Sequence, residues 1–261
     1  MKTQLQILFL CLFLLPIRSI GQRNVKDSII GTPLIGVHYG AIWTAGDLAD
    51  RYGFMNHVGI NGGYKTKHNW YFGLDGNFMF GNRIKAEEPT DEFYGIFDHL
   101  TDSYGNITDV NGDTAIVILY SRGFNANVVF GKLIPVLSPN KNSGIMIQLG
   151  FGYLMHRLRI ETQEQVVPQL ELDYKKGYDR LTSGWNSHQF VGYSYMGNSG
   201  FYNFYAGFYI QEGFTQNNRT IFFDQPDVPV STKTRLDIQY GFRLGWYVPV
   251  YKRKPRDYYF D

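Results

Sequence analysis

The sequence predicts an all-β chain closed into an eight-stranded antiparallel up-and-down transmembrane β-barrel. Three observations predict it: eight segments alternate apolar with small or polar residues, short turns alternate with long polar loops, and the alternation has the wrong sense for a water-soluble barrel. The 261 residues suit one such domain, and 20 tyrosines, 20 phenylalanines and 29 glycines favour strands and tight turns over helices. A net charge of +2 gives no reason to expect a nucleic-acid partner.

Leu34 to Thr44 is the first segment, with Ile35, Val37, Tyr39, Ala41 and Trp43 facing one way and Gly36, His38 and Gly40 the other. The second runs from about His57 to Thr66. The third, 69 to 82, sets Trp70, Phe72, Leu74, Phe78 and Phe80 on one parity and Asp75 on the other. In the fourth, Ala115 to Ile134, Phe124, Ala126, Val128 and Phe130 oppose Gly123, Asn125 and Asn127. Ile145 to Ile160 sets Ile147, Leu149, Phe151 and Tyr153 against Gln148, Gly150 and Gly152, and the sixth segment spans about His188 to Met196. In Phe201 to Gly213, Tyr202, Phe204, Ala206, Phe208 and Ile210 oppose Asn203, Tyr205, Tyr209 and Gln211. The eighth, Arg235 to Val250, sets Leu236, Ile238, Tyr240, Phe242, Leu244, Trp246 and Val248 against Asp237, Gln239 and Arg243.

Short connections at 65 to 68, 137 to 144 and 197 to 200 alternate with a moderate loop near 45 to 55 and long loops at 82 to 114, 161 to 187 and 214 to 234. Turns on one side and long polar loops on the other are the layout of an outer-membrane barrel. Period two alone also fits a secreted ligand-binding barrel, but there the small, polar face would have to be the core. A strand of about twelve residues rising about 3.3 Å each, tilted by about 45°, climbs roughly 28 Å, which matches a hydrocarbon layer. Trp43, Tyr64, Trp70, Tyr195, Tyr202 and Trp246 near strand ends suit aromatic girdles.

The N-terminus reads as a signal peptide over residues 1 to 21. Lys2 precedes an apolar core from Ile7 to Leu15, and Ser19 and Gly21 stand before a cut at Gln22. Cys11 lies inside it, so the mature chain has no cysteine, which fits a Gram-negative envelope. Beyond residue 15 no apolar run approaches the roughly 20 residues of a spanning helix. The expected order is a periplasmic segment at 22 to 32, the barrel at 33 to 251 and a periplasmic tail at 252 to 261.

With the signal ending in IGQ, GDLADRYGF (46 to 54), YKTKHNWYFGLDGNFMFGNRIK (64 to 85) and the final strand YGFRLGWYVPVY (240 to 251), the chain resembles the small outer-membrane β-barrel proteins of Bacteroidota. The resemblance implies an outer-membrane location and insertion by the barrel-assembly machinery, which would read the last strand. It implies no specific activity. The tail KRKPRDYYFD (252 to 261) departs from the pattern by continuing past the barrel.

Side chains fill an eight-stranded barrel and leave no wide channel. The expected inward set is His38, Asn61, Asp75, Asn77, Asn125, Asn127, Gln148, Asn203, Tyr205, Tyr209, Gln211, Asp237, Gln239 and Arg243. An enclosed charge needs a partner, and Arg243 is the expected cation for Asp75 or Asp237; the network is either structural or part of a narrow ion path. On the outer face, a hairpin turning between Ile134 and Ile145 sets Arg122 opposite Arg157, with Arg159 two residues farther out. Facing like charges need an anion or solvent, and lipopolysaccharide phosphates or a loop carboxylate such as Glu161 are the candidates.

Asp109, Asn111 and Asp113 are spaced as in a calcium loop but lack the closing glutamate, and a polar turn explains them as well. The six histidines show no metal-ligand spacing, so no cofactor or metal is expected. Ser187, His156 and His188 are read as lying near the outer rim, without a nucleophile motif, so catalysis is not expected. The loop at 82 to 114 mixes Glu87, Glu88, Asp91, Glu92, Asp98 and Asp102 with Phe93, Tyr94, Phe97 and Tyr104, a possible binding surface. The function expected is noncatalytic: surface binding, adhesion, membrane organisation, or an accessory role in an envelope complex such as the type IX secretion apparatus. A narrow channel or a rim enzyme is the alternative.

Overall fold

The computed structural model describes residues 28–197 and 202–250. The segment read as a signal peptide and the C-terminal tail lie outside them. Eight strands, β1 (Thr32–Gly46), β2 (Met55–Lys65), β3 (Trp70–Gly81), β4 (Ile118–Ile134), β5 (Gly144–Glu161), β6 (Thr182–Met196), β7 (Asn203–Asn217) and β8 (Arg235–Pro249), form a closed antiparallel barrel. Each pairs with the next, and β8 returns to β1.

The closure has a definite stagger. Passing from partner to partner around the wall, Gly36 leads through Asn61, Asp75, Asn127, Gly152, Asn186, Gly213 and Asp237 to Gly46, ten residues farther along β1. Strands tilted by that stagger enclose a space that side chains can fill. All residues on this path face inward, and several are glycine or asparagine because bulky groups enter from their neighbours. A Cβ on Gly245 would run into the Tyr205 ring, one on Gly40 into the His57 imidazole, and one on Gly59 into His38.

Facing is the reverse of a soluble protein. Ile60, Leu74, Val128 and Leu244 are 60–69% exposed on the outer wall, whereas His38, Asp75, Asn127 and Arg243 are 3–5% exposed inside. Only a hydrocarbon surrounding makes that distribution favourable. Aromatics border the apolar band. At the turn end Trp70 stacks on Phe130 with centroids 4.8 Å apart, and the Lys132 amine lies 4.4 Å from the Trp70 ring and donates to the His68 carbonyl. At the loop end Trp43 stacks on Tyr240 and Trp185 on Phe151.

The turn between β2 and β3 shows how sequence sets register. Asn69 adopts a left-handed φ of 62°, and the Thr66 hydroxyl accepts hydrogen bonds from the backbone N–H groups of His68 and Trp70. β3 therefore begins at Trp70 rather than 69. Ala115 belongs to a loop, its N–H donating to the Ile107 carbonyl, so β4 begins at Ile118. β7 runs on to Asn217. The largest difference is β6, which starts at Thr182 instead of about His188. Its outward residues Ser183, Ser187 and Gln189 interrupt the apolar parity that announces the other strands.

Replacing Leu74 with Arg on the lipid-facing wall is expected to lower unfolding stability in lipid vesicles by about 2–4 kcal/mol, while Leu74→Phe leaves it nearly unchanged; urea titration followed by tryptophan fluorescence measures both.

Candidate functional site

The barrel interior is a connected polar network. Arg243 sits between Gly40 and Gly207 on the flanking strands, which leave room for its guanidinium. Its Nη1 lies 3.1 Å from Asp75 Oδ2, and it also covers the Tyr209 ring at 4.9 Å. Asn77 donates to Asp75 Oδ1 at 2.5 Å and to Asn125 Oδ1 at 2.7 Å; Asn125 in turn donates to Gln211 Oε1, and Asn127 donates to Asn125. His38 shares hydrogen bonds with Asn77 and with the Tyr205 hydroxyl, and His57 with the Tyr209 hydroxyl. Gln148, Asn203 and Gln239 are also buried on the inner face, and Asn61 donates to Tyr205. Asp237 does not meet Arg243. Its Oδ2 lies 2.8 Å from His156 Nε2 and accepts from Thr215, and Arg235 stands 3.9 Å away.

Among the described residues the middle of the barrel is filled: Phe190, Tyr205, Tyr209, His188 and Arg243 are 0–3% exposed across it. Toward the turn end, a cavity of about 20 Å³ is enclosed among Asn61, Lys65, Tyr71, Ser194, Tyr205 and Tyr247. That end is closed by residues just before β1. The Ile30 N–H donates to Asn142 Oδ1, Lys65 donates to the Ile30 carbonyl and to Asn142, and Asn142 donates to the Ser28 carbonyl.

At the other end the loops build a cap. They are L1 (47–54), L2 (82–117), L3 (162–181) and L4 (218–234), with short 3₁₀ turns at Asp98–Leu100, Pro168–Leu170 and Leu172–Gly177. Arg51 of L1 is fully buried and uses every donor it has. Nε and Nη2 grip the Glu92 carboxylate of L2 at 2.8 and 2.7 Å, Nη1 donates to Thr182 and the Arg180 carbonyl, and Nη2 reaches Asn217. Arg235 adds a second cation to Glu92 at 3.1 Å and donates to the Asp47 carbonyl. Two further bidentate pairs tie L3 to L4: Arg180 to Asp224, and Arg219 to Asp179. Beneath them Leu48, Tyr52, Phe93, Ile96, Val167, Leu170 and Tyr178 form a buried apolar core.

Burial pushes the Glu92 carboxyl up, but the hydrogen bonds and charge of Arg51, with Arg235 and Arg180 nearby, outweigh it and hold the carboxyl below its ordinary value. The acid and aromatic residues of L2 thus divide. Glu92 and Phe93 build the cap, and the Asp91 and Asp102 carboxylates cap backbone N–H groups within L2. Tyr94 and Tyr104 are exposed. In the tip of L2, Asp109 Oδ1 accepts from the N–H groups of Asn111 and Asp113, closing a polar turn on itself.

The remaining predicted residues separate. Arg122 and Arg157 are direct partners across β4 and β5 on the outer wall near the loop end. Arg159 has its own carboxylate, Glu161, at 2.5 Å, while Arg122 donates to the Ser121 carbonyl and lies over the Tyr120 ring. Ser187, His156 and His188 do not gather at the rim. His156 and His188 point into the barrel, buried, and Ser187 faces the outer wall, because adjacent residues of a strand face opposite sides. Ser187 donates to Glu212 Oε2 at 2.7 Å. Glu212 and Arg51 carry no motif in the sequence; only the parity of β7 and the position of Arg51 between strands could have pointed to them.

No family model matches the chain, and no curated protein matches it. Among solved structures it is similar to the attachment invasion locus protein Ail of Yersinia pestis in complex with the heparin analogue sucrose octasulfate, with 9% identity and a TM-score of 0.40 over 84% of this chain and 97% of that one. A second Ail structure gives 10% identity and 0.39 over 83% and 98%. The outer membrane protein OprG from Pseudomonas aeruginosa gives 10% and 0.37 over 86% and 99%. Likeness at this level carries neither ligand nor function across.

Asp75→Ala strands the Arg243 charge and is expected to lower stability by about 3–5 kcal/mol, with much of the loss recovered when Arg243→Leu is added; a double-mutant cycle in denaturant checks it. Because the Glu92 carboxyl is depressed in the folded state, its contribution to the cap is present above the ordinary glutamate value of about 4.3 and is lost as pH falls through the folded value. Protease resistance of L2 and L3 should therefore drop as the pH is taken below the ordinary glutamate value of about 4.3 while strand content persists, and Glu92→Gln should remove that pH step.

Proposed function

We propose that the protein resides in a bacterial outer membrane, turns toward the periplasm and loops outside, and acts without catalysis by presenting its cap to a protein partner. The cap itself carries this reading: four loops are fastened through Arg51, Glu92, Arg180 and Asp224 into one surface above a filled barrel. Order of that kind lowers the entropy lost on binding. Its exposed side includes apolar groups, with Val110, Val166, Leu172 and Tyr174 at 52–87% exposure. Val110 and Val166 are joined by a backbone hydrogen bond between L2 and L3. Leu172, the most exposed of the four, is held at a left-handed φ of 45°, a conformation that a side-chain-bearing residue adopts only under constraint. The belt of Ile60, Leu74, Val128 and Leu244 supports the membrane location, and the packed interior argues for binding over conduction.

A second observation supports contact with lipid phosphate. Arg122 and Arg157 face one another on the outer wall, Phe80 directly beside Arg122 and the Phe124–Met155 pair next on the side of the apolar band, at the loop-end border where lipopolysaccharide phosphates would lie. A phosphate between them would relieve the like-charge contact.

Purification from native membranes is expected to bring down a stoichiometric protein that Val110→Ser, Val166→Ser and Leu172→Ser together release, with the barrel still folded; steady single-channel conductance in planar bilayers would instead overturn the binding role. Lipopolysaccharide retained through purification should fall several-fold in Arg122→Ala/Arg157→Ala, and unchanged retention would remove the phosphate contact.

A further inference from the structure

The outer wall of β6 and β7 breaks the apolar rule. On β3, β5 and β8 the outward residues between the girdles are apolar or glycine. On β6 and β7 a polar chain occupies the same band: Gln189 Nε2 donates to Ser187 Oγ at 2.9 Å, and Ser187 donates to Glu212 Oε2 at 2.7 Å. Glu212 lies opposite Ser187, two pairs inside the Trp185–Phe214 level and next to it on the outward face, and Gln189 is deeper, opposite Ile210. Exposed apolar groups surround the three: Phe151, Leu149, Val191, Phe208 and Phe214. Polar side chains facing lipid are unfavourable unless a partner in the membrane meets them.

We propose that this face is the contact between two copies of the chain, paired about a twofold axis along the membrane normal. Copies inserted in the same sense can form an isologous pair only about that axis, which sets equal depths face to face. With the axis between β6 and β7, β6 of one copy lies against β7 of the other. The three polar heads meet at Ser187, so they share one depth, and each copy has both halves of a further bond. Glu212 Oε1 is an acceptor with no partner among the described residues, and Gln189 keeps a second N–H. Gln189 of each copy donates to Glu212 of the other, twice by symmetry, inside an apolar rim. Hydrogen bonds of this kind hold membrane-embedded surfaces together. The pairing rests on the membrane location proposed above and leaves the cap free on both copies.

The test uses two differently tagged full-length chains in a Cys11→Ser background, one with Val191→Cys and one with Phe208→Cys, residues that face each other across β6 and β7. They are co-expressed, and oxidised in native membranes. A disulfide joining the two tags is expected, and it should fall about tenfold when Gln189→Leu and Glu212→Leu are added, folding being checked by heat-dependent gel mobility. Chains carrying Val128→Cys on β4 serve as the control wall. Joining no greater than that control, or unaffected by the Leu pair, overturns the proposal, as does stoichiometric crosslinking of this face to a different membrane protein. Failure of the chain to float with outer-membrane vesicles would instead overturn the location and is read separately.

Discussion

Closure of the backbone ladder is the constraint on which the rest of the molecule depends. A chain in hydrocarbon must satisfy every strand N–H and C=O internally, and a sheet does so only when its last strand returns to its first. Here β8 returns to β1 with a stagger of ten residues. That closure leaves no open sheet edge among the eight strands and confines the polar residues of opposite parity to a narrow interior. Asp75, Arg243 and their amide and imidazole neighbours then find their partners in one another and in the Tyr205 and Tyr209 side chains, and the glycines beside them are the space into which they fit.

The two ends follow from the same geometry. At the turn end, short connections leave little chain to cover the mouth, and Ser28 and Ile30 do it by binding Asn142 and Lys65. At the loop end, long connections bring their own apolar residues and cannot leave them in water. They collapse into a core around Tyr52, Phe93 and Leu170, with buried arginines joining segments distant in sequence. A filled, doubly covered barrel leaves its accessible surfaces on the outside.

The wall strands differ in how plainly they can be read. β3 and β8 show nearly unbroken alternation because one side meets lipid and the other a polar interior, and the middle of β5 does the same before Leu154, Leu158 and Ile160 turn inward toward the cap. The first half of β6 escapes that reading because Ser183, Ser187 and Gln189 share the outward face with Trp185. The facing of Asp75 and Arg243 is a parity statement about single strands and is legible; their pairing spans residues 75 and 243 and depends on how the barrel closes. The same distinction explains Asp237. Sequence offers Arg243 as its cation, yet the two stand six residues apart on β8, about 20 Å along the strand, and closure of the wall brings His156 of β5 to Asp237 instead.

The sequence by itself determined the number of strands, the face each presents, and which connections are long, since these follow from a period of two against lipid and from local turn chemistry such as that of Thr66 and Asn69. Tertiary structure alone decided the stagger, the partners of the enclosed charges, the five-donor grip of Arg51, and the meeting of Gln189, Ser187 and Glu212 on one patch of wall. The physical reason is distance along the chain: apart from Gln189 and Ser187, two residues apart on β6, such contacts join residues from tens to more than a hundred positions apart, and only the closed, tilted ladder sets which of them share a height.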